Sequence, residues 1–122
     1  MANEISIAES IQNNNPACKY SFVPTSLQVT QTNPGVYVGT VGLTTSEADL
    51  SIGTIGTPGI VRLTNLDGTQ TIALGPKSAG AMVEVLRLLP GEDARFRVGS
   101  GVTLRAKAIA GTPKLKVELM EA

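Results

Sequence analysis

The sequence predicts an all-β fold, namely a single antiparallel β-sandwich, with a jelly roll as one arrangement of it, preceded by an N-terminal arm. Three observations predict this fold. The chain has 122 residues, which is enough for one hydrophobic core but not for two. After residue 16, apolar and polar residues alternate with a period close to two. Glycine and proline interrupt the alternation at roughly ten-residue spacing, and the pattern predicts about eight or nine strands.

Residues 1–16 form the predicted arm and residues 17–122 the predicted sandwich domain. Ile5, Ile7 and Ile11 lie among polar residues, and the polar run that ends at Pro16 predicts a turn or hinge. Two interpretations stay open. The arm is either a frayed terminus or edge strand, or it pairs with a strand of a neighbouring subunit through an apolar face. We therefore name Ile5, Ile7 and Ile11 as candidate interface residues; a short helix over residues 8–12 is a further option.

The first half of the sandwich contains two clear strand patterns. Residues 27–31 and residues 36–43 alternate between apolar and polar side chains, which indicates strands. Residues 48–55 are less clear, because Gly53 and Gly56 weaken the pattern. A strand and a long loop remain equally open for that segment.

Two segments of the second half call for a choice. Residues 59–64 and 69–75 flank Asp67-Gly68, a dipeptide typical of a tight hairpin turn. Residues 79–89 match helical spacing in part, but we expect a strand there because valines and flanking turn residues favour one. The continuous apolar character of residues 85–89 indicates that this strand is buried on both sides.

The last three predicted strands each have one apolar and one charged face. They cover residues 94–98, 102–108 and 115–119. In an antiparallel sheet this pattern places one face on a core and the other in solvent. We expect Phe96 and Val117, together with Leu104 between them, to lie in the core.

The sequence lacks histidine, and its one cysteine is Cys18. Without imidazole, a single chain has neither the usual base of catalytic triads nor the commonest metal ligand. One thiol forms neither an intramolecular disulfide nor a multi-thiolate zinc site. We expect Cys18 to be a small buried hydrophobic residue. The sequence therefore predicts no catalytic residue, no metal, no cofactor and no enzymatic activity.

Charge and aromatic content argue against nucleic acid as a specific partner. The chain has 10 basic and 10 acidic residues and a formal net charge of zero, so it generates no global field toward polyanions. The few aromatic residues offer little for stacking bases. A basic stripe would form only if the strands that carry Arg95, Arg97, Arg105 and Lys107 pair, and ordinary solvent-facing charge is the simpler interpretation.

Acidic pairs and glycine-rich segments are interpreted as structural. Glu92-Asp93 and the pair Glu47 and Asp49 lie in turn-like contexts and are expected to be solvated loop charges. The glycine-rich residues 53–59 and 99–101 lack the strand, helix and Lys-Ser/Thr pair of a phosphate loop. We interpret them as turns.

Targeting signals are also missing from the sequence. The N-terminus lacks a basic region followed by an apolar stretch, so a secretory signal peptide is not expected. The chain also lacks an apolar run long enough to span a bilayer. We expect a protein that is made in the cytoplasm, is not secreted and has no membrane partner.

Four segments, taken in order, resemble small β-sandwich virion proteins of tailed bacteriophages. They are Val61 to Asp67, Ile72 to Gly75, Leu88 to Glu92 and Thr103 to Ala108. In those proteins a strand that ends in Asn-Leu-Asp precedes a Pro-Gly-Glu turn and an alanine-rich penultimate strand. The resemblance covers residues 59–120.

This resemblance implies a non-enzymatic virion component, foremost a capsid decoration or cement protein that binds the major capsid protein. A homo-oligomer is expected, with a trimer favoured because it suits threefold positions of a capsid lattice. A tail or neck component is an alternative on the same resemblance. A carbohydrate- or surface-binding sandwich module is another, with Tyr20, Phe22 and Tyr37 as its candidate exposed aromatics.

Overall fold

The fold is all-β, as predicted. The computed structural model describes residues 4–18, 20–22, 27–31, 35–50, 58–99 and 101–121, and within these ranges it contains antiparallel strands and no helix. Contacts divide the chain into two compact units, residues 1–32 and residues 33–121. We call them the N-terminal unit and the C-terminal unit.

The N-terminal unit contains two short antiparallel ladders. Strand β1 (Glu4–Ile7) pairs with β4 (Leu27–Thr30), and β2 (Ile11–Asn13) pairs with β3 (Tyr20–Phe22). Strand β4 confirms the strand that was predicted at residues 27–31. The optional helix over residues 8–12 does not form, because β2 begins within that segment.

Asparagine side chains build the turn between β2 and β3. The backbone N–H of Asn15 donates to Asn13 Oδ1 over 2.9 Å, and the N–H of Ala17 donates to Asn15 Oδ1 over 3.0 Å. Such side-chain bonds are the reason that asparagine favours turns. The turn predicted here is confirmed, and the proposed arm boundary after Pro16 falls inside it. Cys18 follows the turn and is exposed, so the expectation that it is buried is wrong.

The C-terminal unit consists of two antiparallel sheets. Sheet I has the order β11-β7-β13-β5 and sheet II the order β10-β8-β12-β6, with β9 beside β8. The strands are β5 (Val36–Gly42), β6 (Ala48–Asp49), β7 (Ile60–Asn65), β8 (Ile72–Ser78), β9 (Ala81–Met82), β10 (Leu86–Leu88), β11 (Asp93–Arg97), β12 (Leu104–Ala108) and β13 (Lys114–Met120).

The strand order of the C-terminal unit is that of a jelly roll. Without the short β9, the first strand pairs with the last, β5 with β13, and the second with the next to last, β6 with β12. Further inward, β7 pairs with β11, and β8 pairs with β10. A long antiparallel ribbon that rolls up into two facing sheets produces this nesting. The predicted sandwich is confirmed in its jelly-roll arrangement.

The core lies between the two sheets and follows the predicted alternation. On β13, Leu115, Val117 and Leu119 are buried, whereas the intervening side chains lie on the outer face. Phe96 and Leu104 are partly buried and pack against the same cluster. The expected inward orientation of these core residues is therefore confirmed.

The hairpin predicted at Asp67-Gly68 is wrong, because β7 and β8 lie in different sheets. Asp67 Oδ1 accepts the backbone N–H of Thr69 and that of Gln70, each over 2.7 Å. These bonds fold a wider loop that crosses from one sheet to the other. A type I′ hairpin turn requires a positive φ at its central residues. Gly68 is not among the described residues with a positive φ.

Residues 79–89 contain the two short strands β9 and β10 rather than the single strand that was predicted, and the expected burial on both sides is wrong. Val83, Val85 and Leu89 are 52%, 66% and 52% exposed. Strand β10 lies at the edge of sheet II, so only its inner face meets the core. The uncertain segment 48–55 begins with the two-residue strand β6, and residues 51–57 lie outside the described part of the chain.

Candidate functional site

The most buried polar side chain of the C-terminal unit is Asn65, at the end of β7, which is 1% exposed. Its Nδ2 donates to the carbonyl oxygen of Gln70 over 2.8 Å and to that of Leu88 over 3.0 Å. Its Oδ1 accepts the N–H of Asp67 over 2.9 Å. The amide thereby holds three chain segments together and is left with no free donor for a ligand.

The same position brings together two of the four segments on which the resemblance to virion proteins rests. The N–H of Asn65 donates to the Glu92 carbonyl, and the N–H of Gly91 donates to the Asn65 carbonyl. Glu92 also accepts the N–H of Leu89 through Oε1 over 2.7 Å, and Gly91 adopts a positive φ. The Asn-Leu-Asp and Pro-Gly-Glu segments therefore form one double turn. Glu92 is exposed and outside the strands, as expected, and its side chain also caps this turn.

A second polar cluster surrounds Arg105 on the outer face of sheet II. Its Nε lies 2.7 Å from Asp49 Oδ1, and its Nη1 lies 3.1 Å from Glu47 Oε1 and 3.0 Å from the Gly80 carbonyl. Glu47 also accepts the N–H of Met82 over 2.8 Å. Strand β6 is thus tied across β12 to the turn between β8 and β9. Both acids are exposed, as expected, but they are paired with Arg105, and Asp49 lies on β6 rather than in a loop.

These contacts lower the pKa of both carboxyl groups. The hydrogen bond from Arg105 lowers the pKa of Asp49. The bond from the Met82 N–H, with a further contribution from Arg105, lowers the pKa of Glu47. Both groups are therefore held as carboxylates, which suits ion pairing but not general acid catalysis.

The four basic residues of the possible stripe do not come together. Arg95 and Arg97 lie on β11 in sheet I, whereas Arg105 and Lys107 lie on β12 in sheet II. Their strands do not pair with each other. On sheet I, Arg62 Nε lies 3.1 Å from Asp93 Oδ2. Asp93 therefore lies on strand β11 in an ion pair and not in a loop.

An apolar cavity of about 410 Å³ lies between the sheets of the C-terminal unit. Its walls include Leu63, Val102, Val117 and Leu119. Asp49 and Thr103 are the polar side chains among its lining residues, and Asp49 is already bonded to Arg105. The cavity therefore brings no pair of reactive groups together.

The candidate interface residues Ile5, Ile7 and Ile11 lie on two strands of the N-terminal unit. On β1, Ile5 is opposite Val29 and Ile7 is opposite Leu27, and both isoleucines are half-buried. Ile11 lies on β2 and is 63% exposed. The structure thus pairs the predicted arm with strands of its own chain, and a contact with a neighbouring subunit stays a prediction.

Aromatic side chains do not form an exposed platform among the described residues. Tyr37 and Phe96 both pack against the core, and the side chains of Tyr20 and Phe22 lie outside the described part of the structure. A sugar-binding surface needs exposed rings. The described residues also contain no cluster of three His, Cys, Asp or Glu side chains that could hold a metal ion, and no helix able to cross a membrane.

The outer edge of β5 is a further candidate surface. Alternation predicts the strand but does not show that its edge is a candidate surface. Val36 and Val38 on this strand are 58% and 57% exposed. β5 forms the end of sheet I, beside β13. The run of seven residues without a charged side chain is the sequence signal that could have identified it.

Comparison with known protein families finds no matching family model, and comparison with curated proteins finds no similar sequence.

Proposed function

We propose that this chain is a non-enzymatic structural protein of a tailed-phage virion that decorates the capsid by binding the major capsid protein. The observation that carries the proposal is the jelly-roll strand order of the C-terminal unit. Viral capsid domains use this architecture. Because a fold does not specify a function, the motifs that meet at Asn65 provide the second support.

The two outer faces of the jelly roll suit a rigid module that recognises a surface by shape. Charged side chains on both faces are largely engaged within the chain, through Arg62 on sheet I and Arg105 on sheet II. Such ion pairs fix the positions of long side chains, and the formal net charge of the chain is zero. Contacts with a partner then depend on local complementarity.

The mechanism follows from mass action. A module that binds the assembled shell, but not its separate subunits, stabilises the assembled state, and many copies on a lattice add their contributions. The protein would work as a homo-oligomer in the virion, after synthesis in the host cytoplasm. The sequence favours a trimer for this oligomer, whereas the long, uncharged edge strand β5 favours a dimer.

Quantitative mass spectrometry of purified virions, made from the genome that encodes this chain, tests the proposal. We expect a copy number comparable with that of the major capsid protein. Particles that lack the gene should lose their DNA at a lower temperature, and adding the purified protein should restore their resistance. A few copies per particle would support the tail or neck alternative. Absence from virions, or unchanged heat resistance without the gene, would contradict a decoration role.

A further inference from the structure

The outer edge of β5 differs from the other sheet edges in the C-terminal unit. The edge strands of sheet II, β6 and β10, have two and three residues. The opposite edge of sheet I, β11, carries Asp93, Arg95 and Arg97. Short strands and charged side chains are two ways in which proteins prevent sheet edges from pairing. β5 has seven residues and no charge, so it lacks both protections.

Backbone hydrogen-bonding groups along this edge are unpaired. At the two ends of the β5–β13 ladder, the N–H of Leu43 donates to the Pro113 carbonyl and the N–H of Glu121 donates to the Gly35 carbonyl. Hydrogen-bonded pairs alternate along an antiparallel ladder, so the odd-numbered residues of β5 bond to β13. The residues that point backbone groups away from β13 are Val36, Val38, Thr40 and Gly42. Within the described part of the chain, these outward groups have no hydrogen-bond partner.

We propose that β5 is the docking strand for a second copy of this chain. The β5 strands of two copies pair antiparallel about a two-fold axis at Gly39, and the two copies of sheet I become one continuous sheet. The pairing supplies partners for the outward backbone groups and adds the partner's side chains beside Val36 and Val38 on the outer face of sheet I. This inference goes beyond the virion role and does not depend on it.

The hydrogen-bonding pattern selects the register of the two strands. With the axis at Gly39, Val36 lies opposite the partner's Gly42 and Val38 lies opposite the partner's Thr40. All four outward-pointing residues are then paired. A shift of two residues in either direction leaves one of them without a partner. Such isologous self-pairing is the usual geometry of a two-fold dimer.

The same register keeps like charges on the outer face of sheet I out of a common row. Glu118 lies beside Val38, and Lys116 lies beside Thr40. The axis at Gly39 therefore places Glu118 in one cross-strand row with the partner's Lys116, at about 14 Å between backbones for three strand spacings. A shift in one direction would align Glu118 with the partner's Glu118. A shift in the other would align Lys116 with the partner's Lys116.

Sedimentation equilibrium of the full chain over a concentration series tests the proposal. We expect the mass of two chains at high concentration. Val38→Lys should give the mass of one chain at concentrations where the unaltered protein is dimeric, because it adds a charge to the pairing edge. Val85→Lys is the matched control, since Val85 is at least as exposed as Val38 but lies outside this edge; this variant should remain dimeric. Thermal melting checks that both variants are folded.

Cysteine cross-linking tests the register itself, in a Cys18→Ser background. A mixture of the Val38→Cys and Thr40→Cys proteins should give a covalent dimer on a non-reducing gel, because paired residues lie about 5.5 Å apart at Cα. Neither protein alone should cross-link. The proposal is overturned by a single-chain or three-chain mass for the unaltered protein, by a dimeric Val38→Lys variant, or by cross-linking within either single variant only.

Discussion

Asn65 is a buried polar residue that holds several chain segments of the C-terminal unit together. Its two donors bond to carbonyls on separate segments, and its oxygen accepts a third bond. A buried amide that is fully bonded stabilises a turn, whereas the loss of one partner leaves a buried polar group unpaired. Leu88 belongs to β10 in sheet II, so this single side chain also links the two sheets.

Replacing Asn65 with aspartate should destabilise the protein in a pH-dependent way. In Asn65→Asp, a carboxylate would face the carbonyl oxygens of Gln70 and Leu88, which costs about 3 kcal/mol at neutral pH. Burial raises the pKa of the new carboxyl in the folded state. The deficit should therefore be smallest below pH 4 and grow as the pH rises. Thermal melting from pH 3 to 8 measures this; the exposed Asn14→Asp is the control and should behave like the unaltered protein.

Asp67 should contribute the opposite pH dependence. Hydrogen bonds from the backbone N–H groups of Thr69 and Gln70 lower its pKa. A lowered folded-state pKa stabilises the fold above the unfolded value of about 3.9 and loses this effect as the pH falls. Asp67→Asn keeps an oxygen acceptor but removes the charge, so its melting temperature should fall less than that of the unaltered protein between pH 6 and 2.5. Parallel pH profiles for the two proteins would contradict this role.

At the scale of strands, the existence and the faces of most elements follow from the sequence, but their partners do not. Alternation predicts β5 and β13 correctly, because successive side chains of a strand point to opposite faces and the apolar ones mark the buried face. The jelly roll then pairs these two strands although they are the first and last of the unit. The hairpin predicted at Asp67-Gly68 is wrong for the same reason: the local turn preference does not show which strands pair. Strand β7 pairs with β11 and β13 and not with β8.

The polar clusters were not predictable for a related reason. The partners of Asn65 are backbone carbonyls on distant turns, and backbone positions leave no signature in residue types. Arg105 was noted only as part of a possible stripe, and its contacts with Asp49 and Glu47 depend on which strand lies beside β12. The acidic residues were identified, but their pairing was not.

Gly75 shows a sequence constraint that only strand packing explains. A Cβ at Gly75 on β8 would lie 1.8 Å from the Val83 carbonyl oxygen, in the segment that crosses β8 before β10. Gly75→Ala should therefore displace that segment and lower the free energy of unfolding by about 1–3 kcal/mol. Denaturant unfolding measures the change. Gly68→Ala is the matched control, because nothing lies within 4 Å of its Cβ position; equal stability of the two variants would contradict the close approach.

The whole molecule separates into two units with unequal cores. The described buried hydrophobic cluster comes entirely from the C-terminal unit, from Leu43 to Leu119. The N-terminal unit consists of two-stranded ladders, and isolated two-stranded sheets are marginally stable in water. The C-terminal unit therefore has the contacts needed to fold without the N-terminal unit.

A chain that begins at residue 33 should accordingly fold by itself. We expect a cooperative thermal transition close to that of the full chain, because the deletion removes no residue of the buried cluster. Loss of the transition would show that residues 1–32 complete the core. If the virion proposal holds, the same truncated protein should bind gene-deleted particles more weakly than the full chain, since β1 and β2 carry the predicted interface residues Ile5, Ile7 and Ile11. A full chain with all three isoleucines changed to serine distinguishes the possibilities: weak binding by both proteins assigns attachment to these side chains, whereas weak binding by the truncated protein alone assigns it to other parts of the N-terminal unit.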